Sequence, residues 1–326
     1  MELIANHDPH SMIQGIVVPT NISTNSFIEA NTQQVTLEHL FNDCIIPNFA
    51  KDNETTISHA QFIGKAFEVV KELFPQVEVR QPDIRVSHVV KSRISSAVGK
   101  PVKELLENEK TIYYERCAFI IDLPTITRTI NGNTLNLSIG GVRALNQQNL
   151  YSRKSLEKFK VFIGFKNLVC TNLCISTDGF SNEIRISSIG DLEQQMETLF
   201  SSYNQEEHLN VLASMSNHRL TEKQFAHFLG KVRMFQHMDK TEQKELFPIH
   251  LNDSQINSIV KDYYTCPNFG KSPDGSINLW NLYNMFTEAN KSSYIDNNFE
   301  RNVNAYELVN NLGNSIHNKT SNWLLS

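Results

Sequence analysis

A chain of 326 residues with 40% hydrophobic and 20% charged side chains has an ordinary globular composition, enough for one large domain or two packed subdomains. A net charge of −5 excludes a general attraction to nucleic acid or anionic membranes, so any basic site has to be local. No apolar run reaches the roughly 18–20 residues of a membrane-spanning helix, and the N-terminus lacks the regions of a secretory signal. With five scattered cysteines that fit reduced thiols, we expect a cytoplasmic protein.

The N-terminal region predicts a polar tail followed by one amphipathic helix. Residues 1–35 are rich in Asn, Thr, Gln and Ser, and we expect them to form a mobile tail. Beyond them, apolar side chains recur with the helical period from Ser58 to Phe74. Ser58 suits the N-cap of this helix, and Pro75 ends it.

The next hundred residues change to the two-residue period of strands. Residues 84–90 alternate like a strand, residues 100–110 predict a short helix, and residues 111–123 are aromatic and β-branched. The Asn-Gly-Asn sequence at 131–133 predicts a hairpin turn, because Asn and Gly tolerate positive φ. Residues 159–175 predict a further long strand or strand pair. This half therefore predicts a sheet rich in antiparallel pairs.

Helical periodicity returns after residue 190 and continues to the C-terminus. Strands followed by a run of helices indicate the α+β class. We expect a sheet-containing region at 36–190 and a helical region at 191–326 packed on it. The predicted helices are 191–213, 221–238, 252–265, 276–290 and 303–317.

Catalytic and metal-binding signatures are missing from the sequence. It contains no P-loop, no Gly-x-Gly-x-x-Gly, no Gly-x-Ser-x-Gly and no His-Glu-x-x-His pattern. Cys170 and Cys174 are four residues apart, which on a strand separates them by about 13 Å, too far to share a metal ion. We therefore predict no metal, no cofactor and no catalytic residues.

A basic and aromatic stretch between Tyr151 and Lys166 is the most unusual local feature. Its cations neutralise phosphates, and aromatic faces stack on unpaired bases, so the stretch suits a groove for single-stranded nucleic acid. The alternative is a strand that buries its aromatic residues and turns its lysines to water. The predicted nucleic-acid-binding residues are Arg143, Tyr151, Arg153, Lys154, Lys158, Lys160 and Lys166.

A second candidate site combines a turn near residue 178 with the polar segment after residue 280. A lysine, hydroxyls and amides converging there suit a phosphate or carboxylate ligand. This hypothesis requires that two sequence blocks more than 100 residues apart meet in the fold. The alternative is that Ser292 and Ser293 cap the next helix and Tyr294 packs beneath it. The predicted ligand-site residues are Asp178, Asn281, Asn290, Lys291, Ser293 and Tyr294.

Several sequence blocks carry a family resemblance. They are Tyr-Ser-Arg-Lys-Ser at 151–155, the segment 162–174, Thr-Asp-Gly at 177–179, and the segments 278–284 and 289–296. With these blocks the chain beyond about residue 40 resembles an uncharacterised domain-of-unknown-function family of gut Bacteroidetes. More distantly, it is similar to a phage/plasmid-like protein family, which implies a mobile genetic element and no particular chemistry.

The leading hypothesis is a non-enzymatic, single-strand-binding protein of a mobile genetic element. The competing hypothesis is an enzyme or binding protein for a phosphorylated or acidic small molecule. A third is a module that binds a protein partner through an exposed helix face. No membrane partner is expected.

Overall fold

The computed structural model describes residues 26–47, 56–150 and 156–325. The strands are β1 Gln33–Val35, β2 Asp83–Val86, β3 Val89–Arg93, β4 Lys110–Tyr114, β5 Arg116–Ile130, β6 Asn133–Ala144, β7 Glu157–Asn167, β8 Leu173–Cys174, β9 Phe180–Ile186, β10 Arg219–Leu220 and β11 Ile277–Asn278. The helices are α1 Leu37–Asn42, α2 His59–Leu73, α3 Ile189–Ser202, α4 Gln205–Ser214, α5 Glu222–Phe235, α6 Lys240–Lys244, α7 Asp253–Thr265, α8 Leu279–Asn290 and α9 Asn298–Asn318. Strands dominate the first half and helices the second, so the predicted α+β class is confirmed.

One antiparallel sheet forms the centre of the first half. Its strand order is β1-β2-β5-β6-β7-β8, and β9 pairs with the other part of β7. The long strands β5 and β6 are joined at Asn131 and Gly132, whose φ angles of 50° and 78° form the predicted hairpin turn. A register shift between Leu123 and Thr127 marks a bulge that bends β5.

One face of the sheet packs against α2 through an aromatic cluster. The ring of Phe62 lies edge-on to Phe119 and Phe159, at centroid distances of 5.1 and 4.7 Å. Gly141 of β6 allows this approach, because a Cβ atom there would lie 2.4 Å from Cζ of Phe62. The core that begins here continues through α3 and the helical half.

The opposite face of the sheet has a second, smaller core. Phe162 of β7 packs edge-on against Phe299 of α9, with a centroid distance of 4.6 Å. Phe27 and Ile28 are buried in the same cluster. The N-terminal segment therefore contributes to the fold from residue 26 onward.

That finding shortens the tail predicted for residues 1–35. Its last ten residues include two core side chains and strand β1, which pairs with β2. The remaining part of the predicted tail, residues 1–25, lies outside the described residues. Apolar residues that are isolated in a polar sequence give little local signal of burial.

The buried helix α8 is the centre of the second half. It is buried on nearly all sides, and α7 and α9 pack against it. Trp280 donates a hydrogen bond from Nε1 to Oδ1 of Asn133, 2.8 Å away, and so ties α8 to the β5–β6 hairpin. No helix in the described ranges is both long and apolar enough to cross a membrane.

Local predictions had mixed outcomes. The N-cap at Ser58 is confirmed, with a reciprocal capping box to Gln61. The helix predicted over 191–213 is two helices, because Asn204 caps a new helix after α3 ends. The helix predicted over 100–110 is wrong, since this segment forms short 3-10 turns that return the chain from β3 to β4.

Candidate functional site

Arg143, the first residue of the predicted nucleic-acid patch, is inside the protein. Its side chain is 0% exposed, and its guanidinium donates from Nη2 to Oε2 of Glu157. The guanidinium also lies over the ring of Phe159, 4.8 Å from the centroid. The expectation that Arg143 contacts a phosphate is therefore corrected, because its only described ionic partner is Glu157.

The described lysines of the patch are neutralised by carboxylates. Lys158 is paired with Glu183 at 2.5 Å, and Lys160 is paired with Glu300 at 2.5 Å. The third, Lys166, is paired with Asp122. Phe159, Phe162 and Phe165 are fully buried, so they offer no face to a base, while Tyr151, Arg153 and Lys154 lie outside the described residues.

The second predicted site is only partly assembled. The part of the chain that meets the polar segment is the β7–β8 turn and not the turn at residue 178: Nδ2 of Asn167 donates to Oδ1 of Asn284 at 3.0 Å. Nδ2 of Asn172 donates to the carbonyl of Asn284 at 2.9 Å, and Nζ of Lys291 donates to the carbonyl of Cys170. This junction joins the β7–β8 turn to α8.

Asp178 lies apart from that junction. Its carboxylate accepts hydrogen bonds from Ser176 and from the backbone N–H of Asn204. The neighbouring Thr177 donates a hydrogen bond to Glu307 of α9. In the same helix, Asn298 donates to the carbonyl of Asn290. Asn298 and Glu307 are nine residues apart, which is about 13 Å along a helix. Asp178 therefore holds the N-cap residue of α4 and does not converge with Asn290.

The other predicted ligand residues are mostly committed to internal contacts. Asn281 bonds the carbonyl of Gly270, while Asn290 and Ser293 are buried and both accept hydrogen bonds from Nε2 of Gln255. Tyr294 is exposed, with Arg116 over its ring at 5.7 Å. The polar residues of this segment thus form an internal hydrogen-bond network.

Asn284 is the centre of this junction, and its loss is expected to be costly. Asn284→Ala leaves the Nδ2 group of Asn167 buried without its acceptor and should lower the free energy of unfolding by about 2–4 kcal/mol. Urea unfolding of Asn284→Ala and of the exposed control Asn268→Ala measures the difference. Equal stability of the two variants would contradict the role of Asn284.

A feature that sequence analysis missed is an exposed β-ribbon, residues 89–114, which we call the ribbon arm. Strands β3 and β4 pair from Val89 opposite Tyr114 to Arg93 opposite Lys110. β3 pairs with no further strand in the part of the chain that the structure describes. The turns at the tip leave Val98, Val102 and Leu106 exposed by 64%, 69% and 61%.

One face of the ribbon arm is positively charged. Directly opposed residues share a face, so Lys91, Arg93 and Lys110 lie on the same side. Lys100 and Lys103 are exposed at the tip. The arm carries five basic and three acidic residues, hence +2 in a chain of net charge −5, which leaves −7 on the rest.

The sequence signal for the charged face of the ribbon arm was the two-residue spacing of Val89, Lys91 and Arg93, which puts them on one side of a strand. It was hidden because the single strand predicted at 84–90 merges β2 with the first two residues of β3, and the partner of β3 lies beyond the misassigned segment 100–110. Which side chains share a ribbon face depends on register, and the register was visible only once β4 was paired with β3.

The comparison with protein families gives one result. A family model described as a domain of unknown function from a B. theta gene description, DUF3871, matches residues 11–325. The chain belongs to this family. The DUF3871 match spans the sheet, the ribbon arm and the helical half, and it confirms the predicted resemblance to a family of unknown function. No curated protein and no solved structure matches the chain.

One group of possible metal ligands occurs among the described residues of the DUF3871 domain. Carboxylate oxygens of Glu72, Glu193 and Glu197 lie within 4.8 Å of one another. Glu72 and Glu197 are exposed, and Glu193 is already paired with Lys65 at 3.3 Å. An exposed acidic group with a lysine partner is explained by solvation, so it carries no functional assignment.

Proposed function

We propose that the protein binds nucleic acid through the ribbon arm. The observation that carries this proposal is the charged face formed by Lys91, Arg93 and Lys110 beside an exposed aliphatic tip. A two-stranded ribbon fits the major groove of duplex DNA, and cations on it neutralise the bordering phosphates. Exposed aliphatic side chains at the tip are suited to apolar contact with thymine methyl groups in the same groove. The proposed ligand is therefore a duplex.

The arrangement of charges on the ribbon supports a binding role over a structural one. Arg93 and Lys110 are directly opposite in the register, although like charges in that position destabilise a strand pair by about 0.2–1 kcal/mol. Glu107 at the tip offsets part of this repulsion, because its Oε1 atom lies 2.6 Å from Nζ of Lys110. A local positive potential on an otherwise acidic chain steers a polyanion to this face.

Parts of the nucleic-acid hypothesis drawn from the sequence stay predictions. Tyr151, Arg153 and Lys154 lie outside the described residues and remain candidates for a second contact. The mobile-element setting and the phage/plasmid-like similarity stay predictions from the distant resemblance. A non-enzymatic role is proposed because the ribbon arm needs no catalytic group to bind a duplex.

The proposal is tested by salt-dependent binding of labelled oligonucleotides, measured by fluorescence anisotropy with duplex and single-stranded probes. We expect Lys91→Gln with Lys110→Gln to weaken duplex binding at low salt. The slope of log K against log salt should fall in magnitude by about 0.9 for each phosphate that the protein no longer neutralises. Both lysines are exposed, so the fold should be unaffected.

A matched control separates the ribbon arm from net charge. Lys223→Gln with Lys240→Gln removes the same charge from exposed sites in the helical half, and it should leave the slope unchanged. If both double variants bind like the parent, or if the control weakens binding equally, the ribbon arm is not the binding element. A preference for single strands would return attention to residues 151–155.

A further inference from the structure

A cavity of about 420 Å³ lies between the β7–β8 turn, α7 and α8. Its walls include Val169 and Cys170 from the turn, Asp262 from α7, Phe269 from the following loop and Glu288 from α8. The volume is in the range of small-molecule sites. None of the lining residues belongs to the ribbon arm, so the cavity is a separate candidate site.

Lys291 lines this cavity but is not available to an anionic ligand. Its side chain is 3% exposed, and Nζ donates to the carbonyl of Cys170 and lies 2.9 Å from Oε2 of Glu288. Its backbone carbonyl accepts from the N–H of Glu29 at 2.8 Å. Lys291 therefore holds the wall in place, and the predicted role of binding a phosphate or carboxylate is disfavoured.

The remaining charges make the cavity acidic. Outside the ion pair of Lys291 with Glu288, its lining holds the carboxylates of Glu29 and Asp262 against the single ammonium group of Lys261. Burial raises the pKa of Asp262, and the negative charge of Glu288 raises it further, opposed by Lys261. The repulsion between two neighbouring carboxylates in a partly buried site is reduced when a positively charged group binds beside them.

The rest of the lining fits an organic cation better than a metal ion. Val169, Phe269 and Met285 supply apolar surface, and burial raises the pKa of the Cys170 thiol to about 12, which keeps it neutral. Within the described ranges, no three metal-binding groups of this cavity lie within 4.8 Å of one another. Carboxylates beside apolar walls recognise an ammonium group attached to a hydrocarbon body.

We infer that the cavity binds a small organic amine, with Asp262 and Glu288 contacting its ammonium group. This inference goes beyond nucleic-acid binding and does not depend on it. It also reverses the charge of the ligand expected from the sequence, because the lysine that suggested an anion is internally paired.

The inference is tested by calorimetric titration at constant ionic strength. The probes are putrescine, spermidine and agmatine, with citrate and AMP as anionic counterparts. We expect at least one amine to bind, and Asp262→Asn and Glu288→Gln each to weaken it about 10-fold or more. Val169→Trp, which fills the mouth of the cavity from an exposed position, should abolish binding.

Controls make each outcome decisive. Glu242→Gln removes one exposed carboxylate outside the cavity and should leave the affinity unchanged. Binding of no amine, tighter binding of citrate or AMP, or equal weakening by Glu242→Gln would overturn the inference.

If Glu288→Gln unfolds because Lys291 loses its partner, Asp262→Asn still decides, since no described salt bridge depends on Asp262. Duplex binding should be the same in all these variants, which separates this test from that of the ribbon arm.

Discussion

Acidification from pH 6.5 to 4.5 is expected to lower the free energy of unfolding by about 4–5 kcal/mol through two buried histidines. His59 at the start of α2 donates from Nε2 to the carbonyl of Tyr114 at 2.8 Å. His208 of α4 contacts the hydroxyl of Tyr203 through Nδ1 at 2.7 Å. Both rings are almost fully buried, and burial lowers each pKa from 6.5 to about 3.

The direction of the effect follows from proton counting. Between pH 6.5 and 3 the unfolded chain protonates both imidazoles while the folded protein keeps them neutral, so the unfolded state binds more protons. Each histidine then costs up to about 1.4 kcal/mol of stability per pH unit as the pH falls. Asp83 and Glu157 act in the opposite direction, because burial raises their pKa values.

The slope of stability against pH isolates the histidines from these carboxylates. Urea unfolding of His208→Leu between pH 4.5 and 6.5 should show a mean slope smaller by about 1.2 kcal/mol per pH unit than that of the parent. Phe228→Leu is the control, because it weakens a buried site without removing a titrating group. A His208→Leu slope equal to that of the parent would mean that the ring is protonated in the folded state.

Local sequence patterns predicted the elements that are stabilised locally. The capping box of α2 and the Asn131-Gly132 turn depend on residues next to each other in the chain, and both were found in the sequence. The order of strands and helices followed from the change of period and gave the α+β class. The single helix predicted over 191–213 was less accurate. Asn204 alone caps the start of α4, and one capping residue gives little signal in the sequence.

The site residues were harder to predict, because their charges are cancelled by distant partners. Lys166 is paired with a residue 44 positions away, and Lys160 with one 140 positions away. A run of lysines therefore looked like a free basic surface in the sequence, although each described member has a carboxylate beside it. Lys291 was misleading for the same reason, since its acceptor is the carbonyl of Cys170.

The ion pair between Arg143 and Glu157 gives the second large prediction. Burial lowers the pKa of Arg143 to about 10 and raises that of Glu157, so both charges are costly and each depends on the other. Glu157→Leu should lower the free energy of unfolding by about 3–5 kcal/mol, because the guanidinium is then buried without its counter-ion. The Nε and Nη1 atoms of Arg143 already have no hydrogen-bond partner among the described residues.

Removing both charges is expected to restore most of this stability. Arg143→Met with Glu157→Leu replaces the pair by apolar groups of similar length, and such exchanges of buried pairs are often neutral. Urea unfolding of the parent, the two single variants and the double variant completes the cycle. A double variant as unstable as the sum of the single variants would show that the residues act separately. Recovery in the double variant would instead mean that the pair makes little net contribution to stability. The recovery should be incomplete, because the N–H of Ile57, which donates to Glu157 at 3.0 Å, loses its acceptor.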